Sequence, residues 1–107
     1  MCVDHDRKAA RTIADNLAAL GVSDRGRIEV CPVEAWDPDP VDVVLADPPY
    51  DWVGWPDLLR RLAAIGDVLV VAEADHPVDA DGWEVVACKR HGGTVVSQLR
   101  PRGAICT

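Results

Sequence analysis

The chain has 107 residues, of which 49% are hydrophobic and 27% charged, a composition that indicates a folded globular domain and excludes a disordered tail. No apolar run approaches the roughly 20 residues that a membrane span requires, and the N-terminus lacks a signal-peptide pattern, so we expect a cytoplasmic protein without membrane contact. The net charge of −7 has the wrong sign for nucleic-acid binding over the whole surface, because phosphate contacts depend on Lys and Arg. Any such surface must therefore be local or lie elsewhere.

Cysteines and histidines are spaced too widely to indicate a metal site. The four cysteines form no CxxC pair, and the three histidines share no spacing that would place them around one ion. We therefore expect neither disulfide bonds nor a bound metal. Basic residues gather in two places, which we interpret as solvated faces with phosphate contact as the alternative: Arg60 with Arg61, and Lys89, Arg90, Arg100 and Arg102.

The first third of the chain alternates strand and helix. Residues 1–3 resemble the end of a strand, and Asp6 can cap the helix that follows. From Arg7 to Leu20 apolar residues recur at helical spacing, and Gly21 ends that helix. Residues 27–31 predict a short strand, so the order strand, helix, strand begins an α/β fold.

The rest of the chain adds buried strands, one helix and a hairpin. Residues 41–46 are apolar and rich in β-branched side chains, which is typical of a strand buried on both faces of a parallel sheet. A short helix is predicted from Pro56 to the stop at Gly66, followed by another buried strand at 67–72. Strand-like runs at 83–89 and 94–100 flank a Gly-Gly turn and predict an antiparallel hairpin. We therefore predict a single α/β domain over residues 1–107, a doubly wound sheet with the hairpin at its far edge.

The tetrapeptide Asp47-Pro48-Pro49-Tyr50 follows the most apolar strand, where open α/β sheets place their ligand sites. Each proline fixes its own φ and keeps its predecessor extended, so the segment is rigid. Because prolines lack an N–H, the segment presents two acceptors, the Asp47 carboxylate and the Pro48 carbonyl. Two acceptors beside an aromatic ring suit a planar base with an NH₂ group that stacks on Tyr50. A stiff turn without chemistry is the alternative.

Such an arrangement has a chemical purpose. The exocyclic amine of a base is a poor nucleophile because its lone pair is delocalised into the ring, and hydrogen bonds from both of its N–H groups favour the pyramidal form of the transition state. The segment therefore predicts methyl transfer to that amine, driven by positioning and electrostatics. The predicted catalytic residues are Asp47, Pro48 and Tyr50, and Pro49 and Tyr50 are the predicted substrate contacts. Trp52 and Trp55 are interpreted as anchors of the next loop, with base stacking as the alternative.

With these residues the sequence resembles the RsmD family of 16S ribosomal RNA guanine-N2 methyltransferases. The resemblance implies a Rossmann-like fold that binds S-adenosylmethionine, and ribosomal RNA of the small subunit or its assembly intermediate as the partner. It further implies that the acid closing the second strand, here Asp4, binds the cofactor ribose, and that Asp47 borders the cofactor. The segments that carry the resemblance are Val3-Asp4-His5-Asp6, Asn16-Leu17, residues 42–50, Val71-Ala72-Glu73 and residues 89–94.

The family's first strand and glycine-rich loop have no counterpart in this sequence, which contains no GxG pattern ahead of the first helix. The resemblance implies that the absent strand lies between the strands at 1–3 and 41–46. We therefore expect an N-terminally shortened domain in which the strands at 1–3 and 41–46 either close against each other or leave the isolated chain unstable. Unpaired edges of this kind favour aggregation or self-association.

Two other functions remain open. A DNA adenine-N6 methyltransferase would use the same pair of acceptors, although no long insert is present to read a DNA site. A catalytically inactive remnant would keep the apolar core and act as an interaction module through its open strand edge.

Overall fold

A computed structural model describes residues 1–102 of the chain, which divide into one unit at Met1–Asp37 and a second that begins at Pro38. The prediction that residues 1–107 form a single domain stays a prediction. Three free thiols belong to the described residues, and Cys106 lies outside them. Within residues 1–102 no helix is both long and apolar enough to cross a lipid bilayer.

The first unit is a strand–helix–strand arrangement in which the two strands pair in parallel, with Val3 opposite Glu29. The helix begins where Asp6 Oδ1 accepts a hydrogen bond from the Lys8 backbone N–H at 2.9 Å, and the chain leaves it through Gly21, whose φ is +71°. The three predicted elements are confirmed, with ends shifted by at most one residue. They are β1 (Cys2–Asp4), α1 (Arg7–Ala19) and β2 (Ile28–Val30).

The second unit contains one helix and a four-stranded sheet of order β3-β4-β6-β5. β3 and β4 are parallel, and β6 is antiparallel to both β4 and β5, so the predicted hairpin is confirmed. Gly92, with φ of +61°, takes the first position of its two-residue turn. The elements are β3 (Val43–Ala46), α2 (Trp55–Ala63), β4 (Leu69–Ala74), β5 (Trp83–His91) and β6 (Thr94–Pro101).

The core of the second unit comes from α2 and from one face of the sheet. Leu59 and Leu62 of the helix are fully buried, and buried residues alternate along β4 and β6, as expected for strands covered on one face. Each large apolar side chain removed from water contributes about 1.5–3 kcal/mol. The buried sheet residues are Val70, Ala72, Ala74, Val95, Ser97 and Leu99.

The prediction that the strand at residues 41–46 is buried on both faces is wrong. Val43 and Leu45 are 52% and 79% exposed, while Val44 and Ala46, which alternate with them along the strand, are half-buried. β3 has one strand neighbour, β4, and its outward positions lie on the sheet face opposite the buried one. An apolar run shows that a strand tolerates burial, but it does not supply the element that would cover the second face.

Candidate active site at residues 47–50

The corner formed by residues 47–50 lies directly after β3, at the carboxyl end of a parallel strand, as predicted. Both proline bonds are trans. The Pro49 carbonyl accepts a hydrogen bond from the Trp52 backbone N–H at 2.9 Å, which closes a turn with Tyr50 at its tip. The turn directs the chain into α2, so the corner is fixed on both sides by regular structure.

The two predicted acceptors of the corner are open. Asp47 is exposed and Pro48 half-buried, and within residues 1–102 no group donates to the Asp47 carboxylate or to the Pro48 carbonyl. The Pro49 carbonyl, by contrast, is occupied by Trp52. The structure therefore brings a charged and a neutral acceptor to one exposed corner, and their catalytic role stays a prediction.

Tyr50 is held by a partner from a distant strand. Tyr50 is 46% exposed, and its hydroxyl forms a 2.8 Å hydrogen bond with Thr94 Oγ1, in the first residue of β6. The contact restrains the hydroxyl end of the ring, while nearly half of the residue stays accessible to solvent. No pattern in the sequence links the two residues, because they lie 44 positions apart.

An open groove of about 450 Å³ runs beside the corner, which lies within the size range of small-ligand sites. Trp55 is 6% exposed, and Trp52 meets it edge to face with ring centroids 5.2 Å apart. The burial of Trp55 agrees with the predicted anchoring role, and Trp52 is half-buried; both side chains line the groove. The groove is bordered by residues 50–53, 55–56 and 76–79.

The indole of Trp52 lies directly against Gly54. A Cβ atom at position 54 would collide with the Trp52 ring, although the backbone φ of −84° is open to any residue. A side chain at position 54 would therefore displace the Trp52 indole, whereas the backbone conformation there sets no such limit. It also occupies the N-cap of α2, so the start of the helix and the position of the indole depend on each other.

The far wall of the groove is the connection between β4 and β5. Val78 is 2% exposed, and its backbone N–H donates to Ser97 Oγ at 3.1 Å. Ser97 is fully buried in β6, so this wall is tied to the same strand that holds Tyr50. His76 borders the groove and lies 2.7 Å from Asp75 Oδ1 through its Nδ1.

Positive charge is distributed unevenly over the second unit. Arg60 and Arg61 both bind Asp57, and the hydrogen bond from Arg60 is the main cause that holds the pKa of Asp57 below its usual value. Lys89 and Arg90 are exposed on β5 and have no partner in the part of the chain that the structure describes. The pair at 60–61 is thus compensated by Asp57, with the Arg60 side chain 75% exposed and that of Arg61 20% exposed, and the end of the hairpin keeps uncompensated charge.

Asp4 closes β1 in the first unit, at the place predicted for a ribose ligand. Its Oδ1 accepts a hydrogen bond from the Asp6 backbone N–H at 2.9 Å, while Oδ2 has no donor among the described residues. One free carboxylate oxygen at the end of a parallel strand suits a ribose hydroxyl, so the residue fits its part of S-adenosylmethionine. The role stays a prediction, whereas the capping role of Asp6 is confirmed.

The second unit is an α/β arrangement whose open acceptor pair follows a parallel strand, which is where open α/β sheets place their ligand sites. The chain belongs to the family described as conserved hypothetical protein 95, which matches residues 1–100. No curated protein sequence matches the chain significantly.

Solved structures share the fold. A conserved hypothetical protein from Streptococcus pyogenes is 24% identical with a TM-score of 0.78, over 95% of this chain and 71% of that one. The Escherichia coli protein yhhF, provisionally named a methyltransferase, is 19% identical with a TM-score of 0.76, over 92% of this chain and 62% of its own. HI0767 of Haemophilus influenzae, provisionally named a methylase, is 16% identical with a TM-score of 0.67, over 92% and 70%. Identities this low establish the fold alone.

Proposed function

We propose that the domain carrying these residues is an S-adenosylmethionine-dependent methyltransferase that acts on the exocyclic amino group of a nucleobase. The observation that carries the proposal is a pair of open acceptors, the Asp47 carboxylate and the Pro48 carbonyl, in the segment that leads into Tyr50. Tyr50 is 46% exposed and lines the groove, whereas Asp47 and Pro48 are not among the residues that line it. The fold shared with yhhF and HI0767 supports this class of reaction.

The residues of the corner have separate tasks in this mechanism. The base stacks on Tyr50, and its amino group donates one hydrogen to Asp47 and one to the Pro48 carbonyl. Both contacts strengthen as positive charge develops on the nitrogen, and the carboxylate stabilises that charge most. Asp47 also faces the proton that the amine must lose. Bound S-adenosylmethionine would supply an electrophilic methyl group, with Asp4 holding its ribose hydroxyls.

The proposed substrate is the 2-amino group of a guanine in 16S ribosomal RNA, presented by the small subunit or its assembly intermediate in the cytoplasm. The resemblance at the corner and at the hairpin supports this choice. Uncompensated charge on Lys89 and Arg90 supports it further, because an acidic protein needs a local basic surface for phosphate contacts. The hairpin that carries these cations also holds Tyr50 through Thr94.

The test combines calorimetric titration with S-adenosylmethionine and transfer of labelled methyl groups to 16S ribosomal RNA, followed by mass spectrometry of the nucleosides. We expect N2-methylguanosine as the product. Methylation of adenine N6 in DNA alone would establish the DNA enzyme instead. Silence from residues 1–107, together with transfer by a longer protein that contains them, would confine the activity to the longer protein. Silence from both would contradict the proposal.

A second candidate, an interaction module that self-associates, is favoured by the open side of β3. Leu45 is 79% exposed, and among the described strands β3 pairs with β4 only. An exposed apolar strand of this kind favours pairing with another chain. Sedimentation should then show dimers that Leu45→Lys disrupts and that Leu20→Lys, at a 76% exposed position that caps the C-terminus of α1, leaves intact.

A further inference from the structure

The contact between Tyr50 and Thr94 joins the corner to a part of the fold outside the proposed chemistry. The Tyr50 hydroxyl and Thr94 Oγ1 lie 2.8 Å apart, and the hydroxyl makes no other hydrogen bond within residues 1–102. Tyr50 lies at the tip of a turn and is 46% exposed, so covering by neighbouring residues restrains its side chain only in part. This hydrogen bond is therefore the one directional contact that restrains the ring among the described residues.

Thr94 is well suited to hold a ring still. It is a β-branched residue with a restricted χ1, and its backbone pairs with His91 across the hairpin. The tight turn at Gly92 and Gly93 immediately precedes it, so the position of its hydroxyl is set by the hairpin register. A loop residue in the same place would give the tyrosine a movable anchor.

We propose that Thr94 is a positioning residue that fixes the ring of Tyr50 as a preformed stacking platform for the substrate base. This inference rests on the proposed function, because it assigns the ring to base binding. A ring fixed in advance loses little conformational entropy when a base stacks on it, so the hydrogen bond stabilises the bound state although it never touches substrate. The hairpin thereby controls how well the corner holds its base.

The first measurement tests the contact without any ligand. Tyr50 is the sole tyrosine of the chain, so tyrosine labelled with ¹³C at Cζ gives one resonance. Thr94→Val removes the hydroxyl at nearly constant shape and should shift that resonance, whereas Thr94→Ser keeps the hydroxyl and should leave it close to the wild-type position. An unshifted resonance in Thr94→Val would overturn the inference.

The second measurement is a double-mutant cycle of binding to a short RNA with one unpaired guanine. Thr94→Val and Tyr50→Phe should each weaken binding about three- to tenfold, the range for loss of one hydrogen bond. The double variant should be no weaker than either single variant, because both remove the same contact. Thr94→Ser should restore most of the affinity, and an RNA with an abasic site at the guanine should show no difference among the variants.

The outcomes separate this inference from the function on which it depends. Additive losses in the cycle, or wild-type affinity in Thr94→Val, would overturn the positioning role and leave the methyltransferase proposal intact. A wild-type chain that binds the guanine RNA no better than the abasic RNA would overturn base stacking itself, and the role of Thr94 with it. In that case the ¹³C resonance would still report whether the Tyr50–Thr94 contact exists.

Discussion

Two aspartates close parallel strands in this molecule, and their carboxylates behave differently. Asp4, at the end of β1, uses Oδ1 to accept a hydrogen bond from the backbone N–H of Asp6, two residues later. Asp47, directly after β3, accepts no hydrogen bond from the described residues. A nearby backbone N–H thus occupies one oxygen of the Asp4 carboxylate, whereas both oxygens of the Asp47 carboxylate are without a donor among the described residues.

The difference has a simple cause in the residue two positions after each aspartate. An aspartate readily bonds the N–H of that residue in an Asx turn. Position 6 is an aspartate with an N–H, but position 49 is a proline without one, so an Asx turn at Asp47 is chemically impossible. The second proline of the corner therefore leaves the Asp47 carboxylate without this backbone donor, besides making the segment stiff.

Removal of the Asp47 carboxylate should give the largest effect. Because it supplies the charged acceptor, Asp47→Ala should lower kcat for methyl transfer about 10²- to 10³-fold, as for loss of an oxyanion-hole donor, with nearly unchanged affinity for S-adenosylmethionine. Single-turnover transfer and calorimetry measure the two quantities. Asp47→Asn keeps an acceptor oxygen without charge, so its kcat should lie between those of the wild type and of Asp47→Ala. Equal loss of transfer and cofactor binding would assign Asp47 a structural role.

A residue with a backbone N–H at position 49 should lower kcat less than removal of the Asp47 carboxylate does. In Pro49→Ala the new amide can donate to Asp47, and competition by one hydrogen bond should lower kcat about two- to tenfold. Hydrogen exchange of the new backbone amide should show protection in the free protein. Pro40→Ala, an exposed proline before β3, is the matched control for loss of proline stiffness. An unprotected amide with normal turnover would contradict the explanation of the second proline.

Substitution of Asp4 should lower the affinity for S-adenosylmethionine and leave kcat nearly unchanged. If the free Oδ2 of Asp4 holds the ribose, Asp4→Ala should weaken S-adenosylmethionine binding about ten- to a hundredfold, the range for hydrogen bonds to a charged group. Asp4→Asn retains an oxygen for the Asp6 amide and should lose less. Asp24→Ala, at an exposed acid of the same unit, is the control. Unchanged calorimetric affinity in Asp4→Ala would remove Asp4 from the cofactor site.

The sequence predicts elements whose signals are local. α1 and its cap at Asp6, the stop at Gly21 and the hairpin around Gly92 all depend on residues within a few positions of one another, and the structure contains them. The rigid corner after β3 is equally local, since two adjacent prolines specify it.

Features that depend on distant residues escape such prediction. Two hydrogen bonds, one between Thr94 and Tyr50 and one from the Val78 N–H to Ser97, join segments that are distant in sequence. The order of the strands brings these segments together. The exposure of Leu45 is likewise decided by which elements cover the sheet, and the apolar character of its own strand says nothing about that. The sequence thus predicts the two acceptors at Asp47 and Pro48, and only the tertiary structure shows that Thr94 holds Tyr50.

The smallest effect should come from Asp6, which shares its loop with Asp4 but serves the helix. Asp6→Ala removes the acceptor for the Lys8 amide and should lower the free energy of unfolding by about 1 kcal/mol, as for other N-caps. Urea denaturation measures it, and Asp6→Asn, an equally good cap, should be neutral. The Asp6 backbone N–H that contacts Asp4 survives both changes, so cofactor affinity should not move. Lost affinity in Asp6→Ala at full stability would instead assign Asp6 to the cofactor, and the two aspartates of this loop would then act together.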